Sequence, residues 1–125
     1  MKKGDLWSAL PGFGGTSLLY PLLVTLGVKR RGLSLARMVE LASTNPARHF
    51  GLHPRKGTLA VGGDADLALL DLEATRTVEA RSLHSAQDHT PFAGLELTGW
   101  PTATLLRGRV VFKATRCRAL PAVGS

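Results

Sequence analysis

Residues 33–72 read LSLARMVELASTNPARHFGLHPRKGTLAVGGDADLALLDL, and the pattern of this stretch changes halfway through. Up to Phe50 the apolar residues recur at helical spacing: Leu35, Met38, Val39, Leu41 and Ala42 line one face. Ser34 stands where an N-cap belongs. Asn45 is expected to cap a second short helix, with Pro46 at its first position and Gly51 ending it. Beyond Pro54, glycine and aspartate separate short strand-like runs, KGTLAVGGDADLALLDL and then RTVEA. Helices followed by strands predict two structural units meeting near residue 51.

The flanks extend both halves. Before Leu33, WSALPGFGGTSLLYP is a loop rich in Gly and Pro, followed by SLLYPLLVTLGV, apolar nearly all round. That predicts a buried helix with Pro21 in its first turns. The loop is no phosphate cradle, because no Lys-Ser/Thr pair follows its last glycine. Toward the other end, PTATLLRGRVVF predicts a hairpin turning at Arg107-Gly108. Neither half carries enough elements to close a core by itself, so the pattern implies missing partners.

Composition narrows the function classes. At 125 residues the chain is one domain at most, or a piece of a larger one. An apolar fraction of 44% supports a packed core rather than disorder. No apolar run nears the roughly 18 residues of a membrane span, and Met1-Lys2-Lys3 leads into no signal-like segment. The single cysteine, Cys117, excludes an internal disulfide and fits a reducing, cytoplasmic setting. The net charge is +7, but the cations are scattered and no aromatic residues interleave with them, so nucleic-acid binding is not the expectation. Lys29-Arg30-Arg31 reads as a solvated helix end.

Two groups invite a chemical reading. Asp64 and Asp66 share a face if the strand starts at Gly63, and paired carboxylates can hold a divalent cation. Further ligands are absent nearby, which favours a structural reading. Asp64 then closes the turn after Gly62-Gly63, and Asp66 accepts backbone donors at the strand entrance. The histidines, His49, His53, His84 and His89, lack the His-x-His or His-Glu-x-x-His spacing that brings two imidazoles to one ion. No nucleophile elbow or catalytic cysteine setting occurs. The residues by themselves display no catalytic centre.

Taken in order, several stretches resemble the C-terminal part of the cyclic amidohydrolases, the dihydropyrimidinase, hydantoinase and allantoinase group. LPGFGGTSLLYPLLVTLG is similar to that group's Gly-rich loop and following helix. The central stretch resembles its Ser-x-Asn-Pro-Ala junction, Pro-Arg-Lys-Gly-Thr turn and Gly-x-Asp-Ala-Asp-Leu strand. SAQDHTPFAGLELTGWPTATLLRGRVVF resembles its closing segment. Residues 4 to 113 or so are covered.

The resemblance implies an α/β fragment. Residues 1–50 would supply the last helices of a TIM (β/α)8 barrel. Residues 51–113 would supply the C-terminal strands of a small β-sandwich domain, and residues 114–125 a divergent or disordered tail. It implies hydrolysis of a cyclic amide or ureide by two divalent metals, usually zinc, whose ligands all lie upstream of this sequence. It places Asp64 and Asp66 in the sandwich, away from the metals. No catalytic or metal-binding residue falls within the chain, and the substrate contact carried over is Asn45. Phe13, in the loop Gly12-Phe13-Gly14-Gly15, would stand near the active-site mouth. The implied partner is the N-terminal remainder of the barrel, in the same or a separate chain. The complete enzyme would be a homo-oligomer acting on a small cyclic amide. The competing expectation is a freestanding, non-catalytic subunit that pairs with a separate barrel chain.

Overall fold

The computed structural model of the chain describes residues 14–83, 85 and 88–114. Two helical segments come first, residues 16–31 and 35–49, and a three-stranded antiparallel sheet follows in the order β1-β2-β3. The strands are β1 (Leu67–Thr77), β2 (Glu96–Leu106) and β3 (Arg109–Lys113). No described helix is long and apolar enough to cross a membrane.

The first helix opens as a 3-10 turn, Thr16–Leu18, runs as α-helix over Leu19–Leu22 and widens into π-helix over Leu23–Lys29. It is not buried all round, as its composition predicts. Leu18, Pro21, Val24 and Thr25 form one buried face, while Leu19 and Leu26 lie exposed. A helix with neighbours on one side only can bury only that side. Its end is solvated as expected: Arg30 and Arg31 are exposed, and Lys29 meets Glu73 in an exposed pair at 3.4 Å.

The second helix is capped by Ser34, whose Oγ accepts from Arg37 N–H at 3.1 Å. The expected break at Asn45 does not occur. Asn45 has helical angles (φ −65°, ψ −45°), and the chain runs through it from Leu35–Val39 into Asn45–His49 by way of a π turn, Glu40–Thr44. Pro46 has no N–H to offer the carbonyl of Ala42, and in the π turn just before it Asn45 N–H donates to Glu40 O. The helix stops where predicted. Gly51 has φ +69°, with Leu52 N–H on Ala47 O at 2.7 Å and Gly51 N–H on Arg48 O at 3.2 Å. This paired closure needs a residue in the left-handed region, and glycine pays no Cβ penalty there.

The strand half departs from its sequence pattern in one respect. Residues 56–66 are turns rather than strand, and the run RTVEA is not separate, because its start is the end of β1. The predicted hairpin is present: Leu106 faces Arg109, and Arg107 (φ 49°) and Gly108 (φ 78°) make the two-residue turn. Between Asp71 and Thr75 the pairing of β1 with β2 slips. There Asp71 Oδ1 accepts the N–H groups of Glu73 (3.0 Å) and Ala74 (3.2 Å), replacing the interrupted ladder.

Leu18, Val78, Leu83, Leu97 and Trp100 form the core, with Leu22, Ala74 and Phe92 against it. Trp100 donates its indole N–H to Leu97 O at 2.7 Å, so its polar edge is satisfied. The first helix docks on β2 through Thr25. Its hydroxyl donates to Thr98 O at 3.1 Å and accepts Thr98 N–H at 2.8 Å. Close approach is possible because Gly99 follows, at φ +93°, where any Cβ would lie 2.5 Å from Val24 Cβ.

Candidate functional site

Asn45 sits half-buried between the π turn and the last helical turn, beside exposed Pro46 and buried Ala47. Its position is fixed from behind by the turn that follows the helix. Thr44 donates its hydroxyl to Gly57 O at 2.8 Å. Gly57, at φ +80°, lies so close that an added Cβ would fall 2.5 Å from Ala47 Cβ and 3.1 Å from Ser43 O. A side chain at 57 would therefore push the loop off the Ser43–Thr44–Asn45 segment. Glycine in the Lys56-Gly57-Thr58 turn thus serves close packing against the site helix.

The aspartates opposite this turn form a charge cluster with Lys56. The Lys56 ammonium lies 3.0 Å from Asp64 Oδ2 and also contacts Asp66 Oδ2, while Arg55 Nε reaches Asp64 at 3.5 Å. Asp66 Oδ1 accepts Arg107 N–H at 2.8 Å, and Gly108 N–H donates to Ala65 O at 2.9 Å. The hydrogen bond from Lys56, reinforced by that of Arg107 N–H, holds the Asp66 carboxyl below the usual carboxylate range. Asp66 in turn, and then Asp64, holds the Lys56 ammonium above its ordinary range.

Each carboxylate therefore already has a cationic partner from this chain. Asp66 accepts a backbone donor as its sequence position predicts, although the donor comes from the distant β2–β3 turn. Asp64 departs from expectation. Its backbone N–H donates to Arg55 O at 2.8 Å, its carboxylate takes the two cations, and the local turn is closed by Gly63 N–H on Ala60 O at 3.1 Å. Lys56 is the residue that sequence reasoning missed. It precedes Asp64 and Asp66 across a glycine-rich loop with no periodic relation to them, so only the fold brings it there.

An apolar groove of about 520 Å³ runs between the second helix and the sheet. Val39, Leu67, Leu70, Leu105 and Val111 line its length, and Lys56 with its aspartates stands at the polar end. Tyr20 from the first helix also lines it.

The histidines do not converge. Among the described residues no group of three or more His, Cys, Asp or Glu is placed to hold a metal ion. His49 stacks edge-on against the exposed Phe50 ring at 5.0 Å, and His53 leads into the Pro54 turn. His89 Nδ1 lies 3.3 Å from Asp88 on the surface, and its carbonyl accepts Gly14 N–H at 3.3 Å. That bond ties the end of the Gly-rich loop to the segment before β2. Gly12, Phe13, His84 and Cys117 lie outside the described residues.

Residues 12–111 match the amidohydrolase family, and the chain belongs to it. It is 44% identical over 107 residues to an L-hydantoinase of Paenarthrobacter aurescens, covering 86% of this chain and 23% of that protein. A D-hydantoinase of Ralstonia pickettii is 43% identical over 90 residues, covering 72% of this chain and 20% of its own length. Among solved structures, the L-hydantoinase (dihydropyrimidinase) from Arthrobacter aurescens superposes with a TM-score of 0.76 at 45% identity, over 87% of this chain and 24% of that one. The chain thus spans about a fifth to a quarter of the length of these relatives.

Proposed function

We propose that this chain is the C-terminal portion of a metal-dependent cyclic amidohydrolase of the hydantoinase and dihydropyrimidinase kind. The complete enzyme hydrolyses a ring C–N bond of a cyclic amide or ureide, and this portion is not catalytic alone. Residues 1–50 are the last helices of its TIM barrel, residues 51–113 the C-terminal strands of its β-sandwich, and residues 114–125 a divergent tail. The observation that carries the reading is the coverage: 86% of this chain aligns with only 23% of an L-hydantoinase. The exposed apolar side chains agree with it. Leu59 and Val61, at 84% and 109% exposure, and Phe50, at 74%, stand in solvent where a further polypeptide would cover them.

Two divalent ions, zinc in this reading, would supply Lewis-acid activation of water for the complete enzyme. The described residues offer no such ligand set, so the remainder of the barrel supplies it. Asn45 is the substrate-contact residue of this portion. The Thr44–Gly57 bond holds the turn after the helix against the segment that carries Asn45. The complete enzyme is a homo-oligomer.

Two measurements test this. The purified chain is expected to bind no stoichiometric zinc and to hydrolyse neither dihydrouracil, hydantoin nor allantoin. Co-expressed with a barrel portion of the same family, it is expected to restore turnover. Hydrolysis by the isolated chain above a metal-only blank would refute the reading. Sequence upstream of the coding region then separates one interrupted enzyme from a two-subunit one.

A further inference from the structure

Stretches of chain far apart in sequence meet at the Lys56 ammonium. It lies 3.0 Å from Asp64 Oδ2 and also contacts Asp66 Oδ2, all three side chains being partly buried at 31%, 29% and 25% exposure. Asp66 carries the connection on to the β2–β3 turn. Its other oxygen accepts Arg107 N–H at 2.8 Å, and Gly108 N–H donates to Ala65 O at 2.9 Å. The backbone of Lys56 is held too, its N–H donating to Leu52 O at 3.0 Å. One residue on, Gly57 O accepts the Thr44 hydroxyl at 2.8 Å, and a Cβ at Gly57 would stand 3.2 Å from Thr44 Cα. The next residue after Thr44 is Asn45. Bonded contacts thus run without a gap from the turn at Arg107 to the helical turn that carries Asn45.

Asn45 has little else to hold it. Its N–H is committed to Glu40 O, and its side-chain amide makes no hydrogen bond to a described residue. A side chain with no tether of its own goes where its backbone goes, so whatever braces Thr44 aims Asn45. We infer that Lys56 is a positioning residue for Asn45: clamped on Asp64 and Asp66, it keeps the Gly57 carbonyl on Thr44 and so fixes the turn that presents Asn45 to substrate. This rests on the reading of Asn45 as the substrate contact. A Lys56 that only stabilised the fold would, when removed, loosen every protected amide alike. A positioning Lys56 loosens the Asn45 and Arg107 turns ahead of the first helix and the core.

Amide hydrogen exchange on the intact 125-residue chain reads the difference residue by residue. Lys56→Met is expected to speed exchange at Asn45, Phe50 and Leu52, and at Arg107 and Gly108, by about three- to fivefold relative to Arg30 in the first helix and Val78 in the core. Lys56→Arg, which keeps the charge, should behave as the parent. Thr44→Val, which deletes the hydroxyl, should speed the Asn45 set and leave Arg107 and Gly108 as they were. Combined with Lys56→Met, it should speed the Asn45 set no further than the larger single change, as for successive links in one path. If Lys56→Met fails to fold, raised salt on the parent chain, which screens the cluster, takes its place. Even acceleration across the chain, unchanged exchange at Asn45, multiplied effects in the double variant, or Lys56→Arg matching Lys56→Met would overturn the inference. In an enzyme reconstituted with a barrel portion, Lys56→Met and Thr44→Val are expected to raise KM more than they lower kcat, with Lys56→Arg restoring it; a KM indifferent to Lys56 would also overturn the inference. Absence of all turnover there would refute the proposed function instead, with the exchange rates still deciding on Lys56.

Discussion

Gly99→Ala probes the docking of the first helix on the sheet. Gly99 sits at φ +93°, and an alanine Cβ would meet Val24 Cβ at 2.5 Å, Cγ1 at 2.6 Å and Cγ2 at 2.7 Å. The left-handed backbone costs a non-glycine residue about 1–2 kcal/mol. Overpacking a well-filled contact adds about 1–3 kcal/mol. Relief by movement is limited, because Thr25 holds Thr98 by two hydrogen bonds one residue away and Val24 is 1% exposed. The expected loss is therefore about 2–5 kcal/mol, a large share of a small domain's stability. Read as a urea midpoint followed by tryptophan fluorescence, that is a fall of about 1–2 M. Adding Val24→Ala removes the two Cγ contacts but not the Cβ contact, so the second substitution should cost less in the Gly99→Ala background than alone. A midpoint unchanged by Gly99→Ala, or fully additive losses, would refute the close approach.

Thr25→Val leaves Thr98 N–H without its acceptor and should cost about 1–3 kcal/mol, against a much smaller effect for Thr75→Val on the neighbouring strand β1, whose exposed hydroxyl meets that of Thr98, both read by urea denaturation. The Lys56 cluster predicts a pH profile. The folded pKa of Asp66 is depressed, so its contribution is present above about pH 4 and fades as pH falls through the folded value; that of Lys56 is raised, so its contribution holds below about pH 10.4 and fades as pH rises through the folded value. Lys56→Met should flatten both flanks of melting temperature against pH, and an unaltered profile would remove the cluster from the account.

Much of this architecture is legible in the residues because it is set locally. Ser34 caps because its hydroxyl reaches the next turn, Gly51 ends a helix because it tolerates φ +69°, and Arg107-Gly108 turns a hairpin because both take positive φ. Asn45 was harder to place. Its residue type and the following proline read as a helix start, yet the helix passes through by way of a π turn in which Asn45 N–H donates to Glu40 O. The run Lys56 to Val61 has strand-like composition but no strand partner among the described residues, and without a ladder it forms turns and irregular chain.

By itself the sequence determined the Ser34 start and the Gly51 end of the second helix, that strands follow, and, through the order of its motifs, the family to which the chain belongs. Tertiary structure alone decided which side of the first helix is covered and which cation answers Asp64 and Asp66. It also decided that the turn at Arg107 is bound to the strand entrance 41 residues earlier. Capping and turn geometry act over one or two turns of chain and leave their mark in neighbouring residues. Packing and charge pairing join residues whose separation along the chain carries no pattern, so they emerge only once the chain has closed on itself.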